Sequence, residues 1–126
     1  MNVDGLHRLS GIHPHNLSDI HGNNNVERCE KCSFEQLKDG TVVKNQDLKD
    51  HYTGRHCSQN NCTGKMRDTI IYFGENCNKD VFDSAFNSHI QADLCLTMGS
   101  SMRLEHVTPM PCGVAEHGGN LVLVNL

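Results

Sequence analysis

The residues best suited to chemistry crowd into positions 20–32, I-H-G-N-N-N-V-E-R-C-E-K-C, where a His-Gly corner at His21 stands eight residues ahead of the pair Cys29 and Cys32. A second pair, Cys57 and Cys62, follows after 24 residues. Two close pairs of thiols joined by a loop suit a tetrahedral Zn²⁺, because each pair clips one side of the ion while the intervening chain folds back. Four thiolates leave no open coordination position, so the metal is expected to be structural and not to activate water. Ordinary buried thiols are the plainer alternative. The second pair is spaced C-x₄-C and preceded by His56, which leaves open a swap of one thiolate for that imidazole. His21 alone says little, since a single histidine is more often structural. Held in a cleft beside a metal knuckle, its imidazole, titrating near pH ~6.5, is a general base poised at neutral pH.

Short elements must position these groups. Asp4 is expected to cap a helix that ends at Ser10 and Gly11, and His13-Pro14-His15-Asn16 reads as a loop. Residues 26–32 read as one strand of a small zinc-bound sheet, and residues 33–56 as a polar excursion with a turn at Lys38-Asp39-Gly40. Residues 65–73 read as a strand leaving the lobe and stopping at Gly74 and Glu75. Across residues 80–91 the apolar set Val81, Phe82, Ala85, Phe86 and Ile90 keeps helical spacing and predicts one buried stripe, with His89 at its border. Residues 93–98 are a nearly continuous apolar run ending in Gly99-Ser100-Ser101. That pattern predicts a buried parallel strand, with Cys95 in the core, delivering a loop to the carboxyl edge of its sheet. A helix over 111–117 closed by Gly118-Gly119, then a second buried strand at 121–124, complete half of a doubly wound nucleotide fold. No Gly-x-Gly-x-x-Gly fingerprint occurs, so the half carrying a dinucleotide pyrophosphate loop is expected to lie outside this chain. The fold class is α/β: a partial Rossmann-like doubly wound parallel sheet with a small four-cysteine zinc-binding lobe. Its segments are 1–27 for the nucleotide-fold piece with the His21 corner, 28–68 for the lobe, and 69–126 for the later half of the fold.

Composition narrows the function. The net charge of −4 and the lack of any Lys/Arg-rich run argue against a duplex-binding surface, because phosphate affinity comes from clustered cations. No apolar leader follows Met1 and nowhere do eighteen apolar residues run together, so a soluble intracellular protein with no membrane partner is expected. Seven cysteines are an odd number, which reads as four ligands plus the free thiols Cys77, Cys95 and Cys112 in a reducing compartment.

Together, N-V-D-G-L-H-x-x-S-G at 2–11, H-G-N at 21–23, the four cysteines, R-D-T-I-I-x-F-G-E at 67–75, G-S-S at 99–101 and V-N-L at 124–126 resemble the sirtuins. T-G-R-x-C at 53–57 with R-D-T-I looks most like the branch that holds sirtuins six and seven. The resemblance implies NAD-dependent removal of an acyl group from protein lysine, giving nicotinamide and O-acyl-ADP-ribose, with mono-ADP-ribosyl transfer as a further activity. It implies NAD as co-substrate, structural Zn²⁺, acylated-lysine protein substrates with histones as candidates, no sequence-specific nucleic acid contact, and a nuclear location, with the cytoplasm as the default otherwise. By the same resemblance His21 is the base that deprotonates a ribose hydroxyl after the acyl oxygen has displaced nicotinamide and formed an imidate. Asn2 and Asp4 match the nicotinamide pocket. Gly99, Ser100 and Ser101 match the ribose and phosphate loop, and Asn125 and Leu126 match the contacts near the adenosine ribose. Phe73, Gly74 and Glu75 match one edge of the cleft, against which an acyl-lysine peptide lies as an added strand.

The chain also departs from the family's pattern. The family's Gly-Ala-Gly-Ile-Ser turn and Pro-Asp-Phe-Arg loop would precede Asn2 and are expected outside this chain, and Met1 stands where the family has a glutamine. After Ser101 the family's Leu-x-Val-x-Pro is replaced by Met102-Arg103-Leu104-Glu105-His106-Val107, which alters the second edge of the peptide cleft. The chain stops at Leu126, ahead of the adenine-side loop. With its first half missing, the strand at 94–98 is expected to show an unpaired apolar edge. A non-catalytic, zinc-stabilised peptide-binding module derived from a sirtuin is therefore the alternative reading. A thiol redox protein is a third, resting only on C-x-x-C.

Overall fold

Each cysteine pair sits at the tip of an antiparallel hairpin. In the computed structural model, which describes residues 2–44 and 50–126, β1 (Val26–Cys29) turns through Cys32 into β2 (Glu35–Leu37), and β3 (Tyr52–His56) turns through Cys57 and Cys62 into β4 (Lys65–Asp68). The four strands form one sheet in the order β2-β1-β4-β3. Opposite pairs Glu27↔Asp68 and Cys29↔Met66 fix the register of the two central strands. Because side chains alternate across a strand, Glu27, Cys29, Met66 and Asp68 share one face, and all four are buried. Ile20, Val26 and Val42 complete a small apolar core.

Several expectations for these elements are corrected. The strand read over 26–32 ends at Cys29, because Ser33 donates back to the Cys29 carbonyl and closes the metal turn. The polar excursion at 33–56 contains β2 and the whole of β3, whose Tyr52 and His56 pair with Arg67 and Lys65 of β4 although the segment is polar. Its residues 45–49, like the expectation at Met1, lie outside the described residues. The strand read over 65–73 stops at Asp68, where the Asp68 carboxylate accepts from the Ile70 amide and turns the chain. Near the N-terminus α1 (Leu6–Leu9) follows Gly5, and Asp4 accepts from the Leu6 amide one position ahead of the helix cap. Pro14–Asn16 is a 3₁₀ turn rather than an irregular loop, with Pro14 at its first position.

The chain divides into two compact units, Met1–Cys77 and Asn78–Leu126. In the second, Asn78 caps α2 (Lys79–Ile90) through its side-chain oxygen, which accepts from the amides of Asp80 and Val81. β5 (Leu94–Met98) runs parallel to β6 (Asn120–Val124), joined by α3 (Pro109–Glu116), and Met110 and Val114 of α3 are buried with Ala85 of α2. The expected burial is only partly found. On α2 only Ala85 is buried, and Phe86 is 43% exposed. Along β5, Leu94, Leu96 and Met98 are exposed, while Cys95 is half-buried rather than core. A two-stranded sheet with one covering helix leaves its other face and its outer edge uncovered, so a buried-strand composition does not produce a buried strand here. Among the described residues no helix is long and apolar enough to cross a membrane.

Candidate functional site: metal lobe, histidine corner and loop edge

The two hairpin tips bring all four expected cysteines together. Cys29 Sγ lies 3.6 Å from Cys62 Sγ, and Cys32 Sγ lies 3.6 Å from Cys57 Sγ. All four sulfurs fall within 4.8 Å of one another. A tetrahedral zinc with Zn–S bonds of about 2.3 Å needs sulfurs roughly 3.8 Å apart, so this donor set fits the ion without rearrangement. His56 is not in the cluster, which leaves the four-thiol set and removes the swap considered for it. The local backbone favours a thiolate at Cys29: the amides of Cys32 and Lys31 point at its sulfur, against the cost of burial, and lower it to about 6. At Cys57 the Gln59 amide favours the thiolate, but burial and the neighbouring thiols prevail and push it up to about 12. Four thiols this close ionise together only around a cation. Gly64 is required here, because any side chain would collide with Cys29 Sγ. Cys77, by contrast, is a half-buried thiol pushed up by burial, and Cys112 is exposed on α3.

His21 lies in a corner held from several sides. Gly22 has φ 81° and packs so closely on the Thr69 carbonyl that a Cβ would overlap it, which explains the glycine of the H-G-N motif. The His21 carbonyl accepts from the Ile71 amide, and the Asn23 amide donates to Thr69 Oγ1 at 3.1 Å. Asn23 is buried; its side-chain amide donates to Asp19, whose carboxylate also takes Arg8 Nε at 2.8 Å, while its oxygen accepts from the Asn25 amide. The Asn24 amide donates to the Val3 carbonyl at 2.8 Å, so the segment bearing Asn2 and Asp4, both exposed, is bonded directly to the histidine corner. The imidazole itself is half-buried.

In the second unit, Gly99-Ser100-Ser101 follows the carboxyl end of β5. The Gly99 amide donates to the Val124 carbonyl at the end of β6, and Asn125 Nδ2 donates to the Ser100 carbonyl at 3.0 Å. The loop and Asn125 therefore form one patch at the carboxyl edge of the parallel pair, where open α/β sheets take their ligands. Ser101 and Leu126 are exposed beside it.

Phe73 and Gly74 form the exposed tip of a turn over 72–75, with Gly74 at φ 89°. Glu75 closes it: its amide donates to the Tyr72 carbonyl and its Oε2 accepts from the Tyr72 amide at 2.8 Å. The other carboxylate oxygen lies 3.0 Å from His51 Nε2, and His51 Nδ1 lies 2.9 Å from Asp68 Oδ1. Residue reading missed His51, and its only cue was position, just ahead of an unrecognised strand. Burial opposes charging of this imidazole, but the hydrogen bonds and charges of Asp68 and Glu75 prevail and raise it above its ordinary 6.5. Because the folded value exceeds the unfolded one, the clasp's contribution to stability is complete below about pH 6.5 and is lost as pH rises through the folded value. Denaturant unfolding of zinc-loaded chain from about pH 6 to 9 should show the stability gap between wild type and His51→Gln closing with rising pH. A constant gap would remove the clasp.

Four thiolates would close the coordination shell of a metal held here, so that metal would brace the fold, while the His21 imidazole stands on a separate corner. That places the chain among zinc-braced α/β nucleotide-fold proteins rather than zinc hydrolases. The Sir2 family model matches residues 1–107, and the chain belongs to that family. It is 36% identical over 125 residues to the NAD-dependent protein deacetylase SRT1 of Arabidopsis thaliana, covering 99% of this chain and 26% of that protein. It is 34% identical over 108 residues to the Homo sapiens NAD-dependent protein deacetylase sirtuin-7, covering 82% of this chain and 26% of that one. The solved structure of Sir2Tm bound to a propionylated peptide matches with a TM-score of 0.66 at 29% identity, over 99% of this chain and 49% of that one. The chain thus spans about a quarter of the length of these two relatives and about half of the solved chain.

Proposed function

We propose that this chain carries the catalytic corner, zinc lobe and ribose-side loop of an NAD-dependent protein acyl-lysine deacylase. The observation that carries the reading is the His21 corner: an imidazole on a backbone pinned by Thr69, Asn23 and Asp19, with the Asn2–Asp4 segment bonded to it, in a Sir2-family chain. In this reading the acyl oxygen displaces nicotinamide from NAD to form an imidate, and His21 then takes the proton from a ribose hydroxyl, whose oxygen attacks the imidate carbon so that the acyl group passes from lysine to the sugar. Asn2 and Asp4 face the nicotinamide. Gly99, Ser100 and Ser101 approach the ribose and phosphates, and Asn125 and Leu126 lie at the adenosine ribose. Phe73, Gly74 and Glu75 offer the edge on which an acyl-lysine strand adds. Cys29, Cys32, Cys57 and Cys62 hold the zinc. The proteins named in the comparison, deacetylases dependent on NAD and a relative bound to a propionylated peptide, support the same chemistry. Nuclear proteins, histones among them, are the substrates proposed, and a fluorescent fusion that stays out of the nucleus would argue against this.

The test supplies NAD and an acetyl-lysine peptide to zinc-loaded protein, as this chain and as the product of its full reading frame, and measures nicotinamide. His21→Ala should lower peptide-dependent nicotinamide release by a factor of roughly 10²–10⁴ with zinc content unchanged. No release from either wild-type form would overturn the reading.

A further inference from the structure

Glu75 falls in the stretch proposed to receive the peptide, yet its carboxylate is committed within the chain. One oxygen accepts from the Tyr72 amide across the turn and the other faces His51, and the side chain is 27% exposed. The tip residue Phe73 is 91% exposed, so the surface offered to a peptide is the backbone of Phe73 and Gly74 and the ring of Phe73, with Glu75 behind it as a brace.

The brace is anchored on the zinc sheet. His51 immediately precedes β3, six residues before the ligand Cys57, and its carbonyl accepts from the Asp68 amide at 2.7 Å at the end of β4. Its ring, 11% exposed, has a carboxylate at each nitrogen and the Tyr72 ring 5.3 Å away centroid to centroid. Only an imidazolium donates from both nitrogens, so the ring acts as a cation held between two anions. Without it Asp68 and Glu75 would face each other as like charges across a half-buried gap, an arrangement that drives the turn away from the sheet.

We propose that His51 is a positioning residue for the substrate strand: by joining Asp68 to Glu75 it ties the 72–75 turn to the zinc sheet and sets the backbone on which an acyl-lysine peptide adds. The role rests on the deacylase reading above, and it makes peptide affinity depend on the order of the metal lobe.

The test compares zinc-loaded wild type, His51→Ala and His51→Ala/Glu75→Gln. Anisotropy of a dye-labelled acetyl-lysine peptide reports affinity, and hydrogen exchange reports the amides of Tyr72 and Glu75. His51→Ala should weaken peptide binding about tenfold and speed exchange of both amides about tenfold, the loss of one charge-assisted bond, while zinc stays at one per chain. Glu75→Gln in that background removes the like charge and keeps an acceptor for the Tyr72 amide, so it should recover part of both losses. A purely structural role would lower the melting temperature and leave peptide affinity intact at temperatures where both proteins are folded, and that result overturns the proposal. Unchanged exchange in His51→Ala also overturns it, by showing that the clasp does not hold the turn. If wild type binds no peptide while His51→Ala still loosens the two amides, the clasp is real, but the deacylase reading fails and takes the role of His51 in substrate placement with it.

Discussion

Stripping the metal should unfold Met1–Cys77 while leaving Asn78–Leu126 its helices. The four sulfurs converge from two hairpin tips, and among the described residues the apolar core behind them is only Ile20, Val26, Cys29, Val42 and Met66. A structural zinc in such a set supplies roughly 10–16 kcal/mol of apparent binding free energy, comparable to the whole 5–15 kcal/mol by which an ordinary domain is stable. Removing the ion also leaves four thiols within 4.8 Å, which compete for ionisation. A strong chelator should therefore cut the strand signal in circular dichroism to what β5 and β6 supply, and release one zinc per chain. It should also make the four ligand thiols and Cys77 react quickly with a colorimetric reagent. Zinc, but not magnesium, should restore the sheet, because thiolate is a soft donor that magnesium does not take. Cys57→Ser should behave as the chelated protein does, since His56 is not among the converging ligands. A chelated chain that keeps its strands would show that the lobe is held by its core and not by a metal.

How much of this was legible beforehand depended on whether a signal was local. The cysteine pairs were, because their spacing reports the turn each must make around an ion. The carboxyl-edge loop was also legible: an apolar run stopping at Gly99-Ser100 marks a strand end whatever surrounds it. Burial of β5 was misread, because a run of Leu, Cys and Met records what a strand is suited to and not how many neighbours cover it in this chain. Strands β2 and β3 were missed for a related reason. Tyr52 and Thr53 are good strand formers but sit among Asp, Lys, Gly and Arg, and what makes the segment a strand is the pairing of Tyr52 and His56 with β4. The His51 clasp and the contacts of Glu27 join residues 11 to 28 positions apart, and their composition reads as ordinary surface charge until the hairpins stack them. The domain segments 1–27, 28–68 and 69–126 follow motifs. The compact units part at Cys77 and Asn78 instead, because the 69–77 stretch is bonded back to the His21 corner and to His51.

The charge buried in the lobe yields the other large effect. Glu27 is 1% exposed, with Thr53 Oγ1 donating to its Oε2 at 2.9 Å, Arg55 Nε at 2.7 Å from the same oxygen and Lys38 Nζ at 3.4 Å from Oε1. Both cations reach in from solvent, so neither is stranded when the other leaves, whereas the carboxylate cannot be hydrated where it stands. The double variant Arg55→Ala/Lys38→Ala is therefore expected to lose about 3–5 kcal/mol, the cost of a buried charge left without its partners. For a unit of this size that is a fall in melting temperature of at least ~12 °C. Arg55→Ala alone should lose less, since Lys38 remains. Adding Glu27→Met to the double variant removes the stranded anion, fills much of its volume, and leaves the Thr53 hydroxyl its second acceptor, the Met66 carbonyl at 3.3 Å. The triple variant should regain most of the loss, because an apolar side chain in place of a buried ion pair is often neutral or stabilising. Calorimetric melting of the three proteins, with zinc content checked at low temperature, separates this from an effect on the neighbouring ligand Cys29. If the double variant melts within a degree or two of wild type, the cations are ornamental and water reaches Glu27 in solution. If the triple variant is no better than the double, the loss comes from the packing of the Arg55 and Lys38 stems and not from the charge.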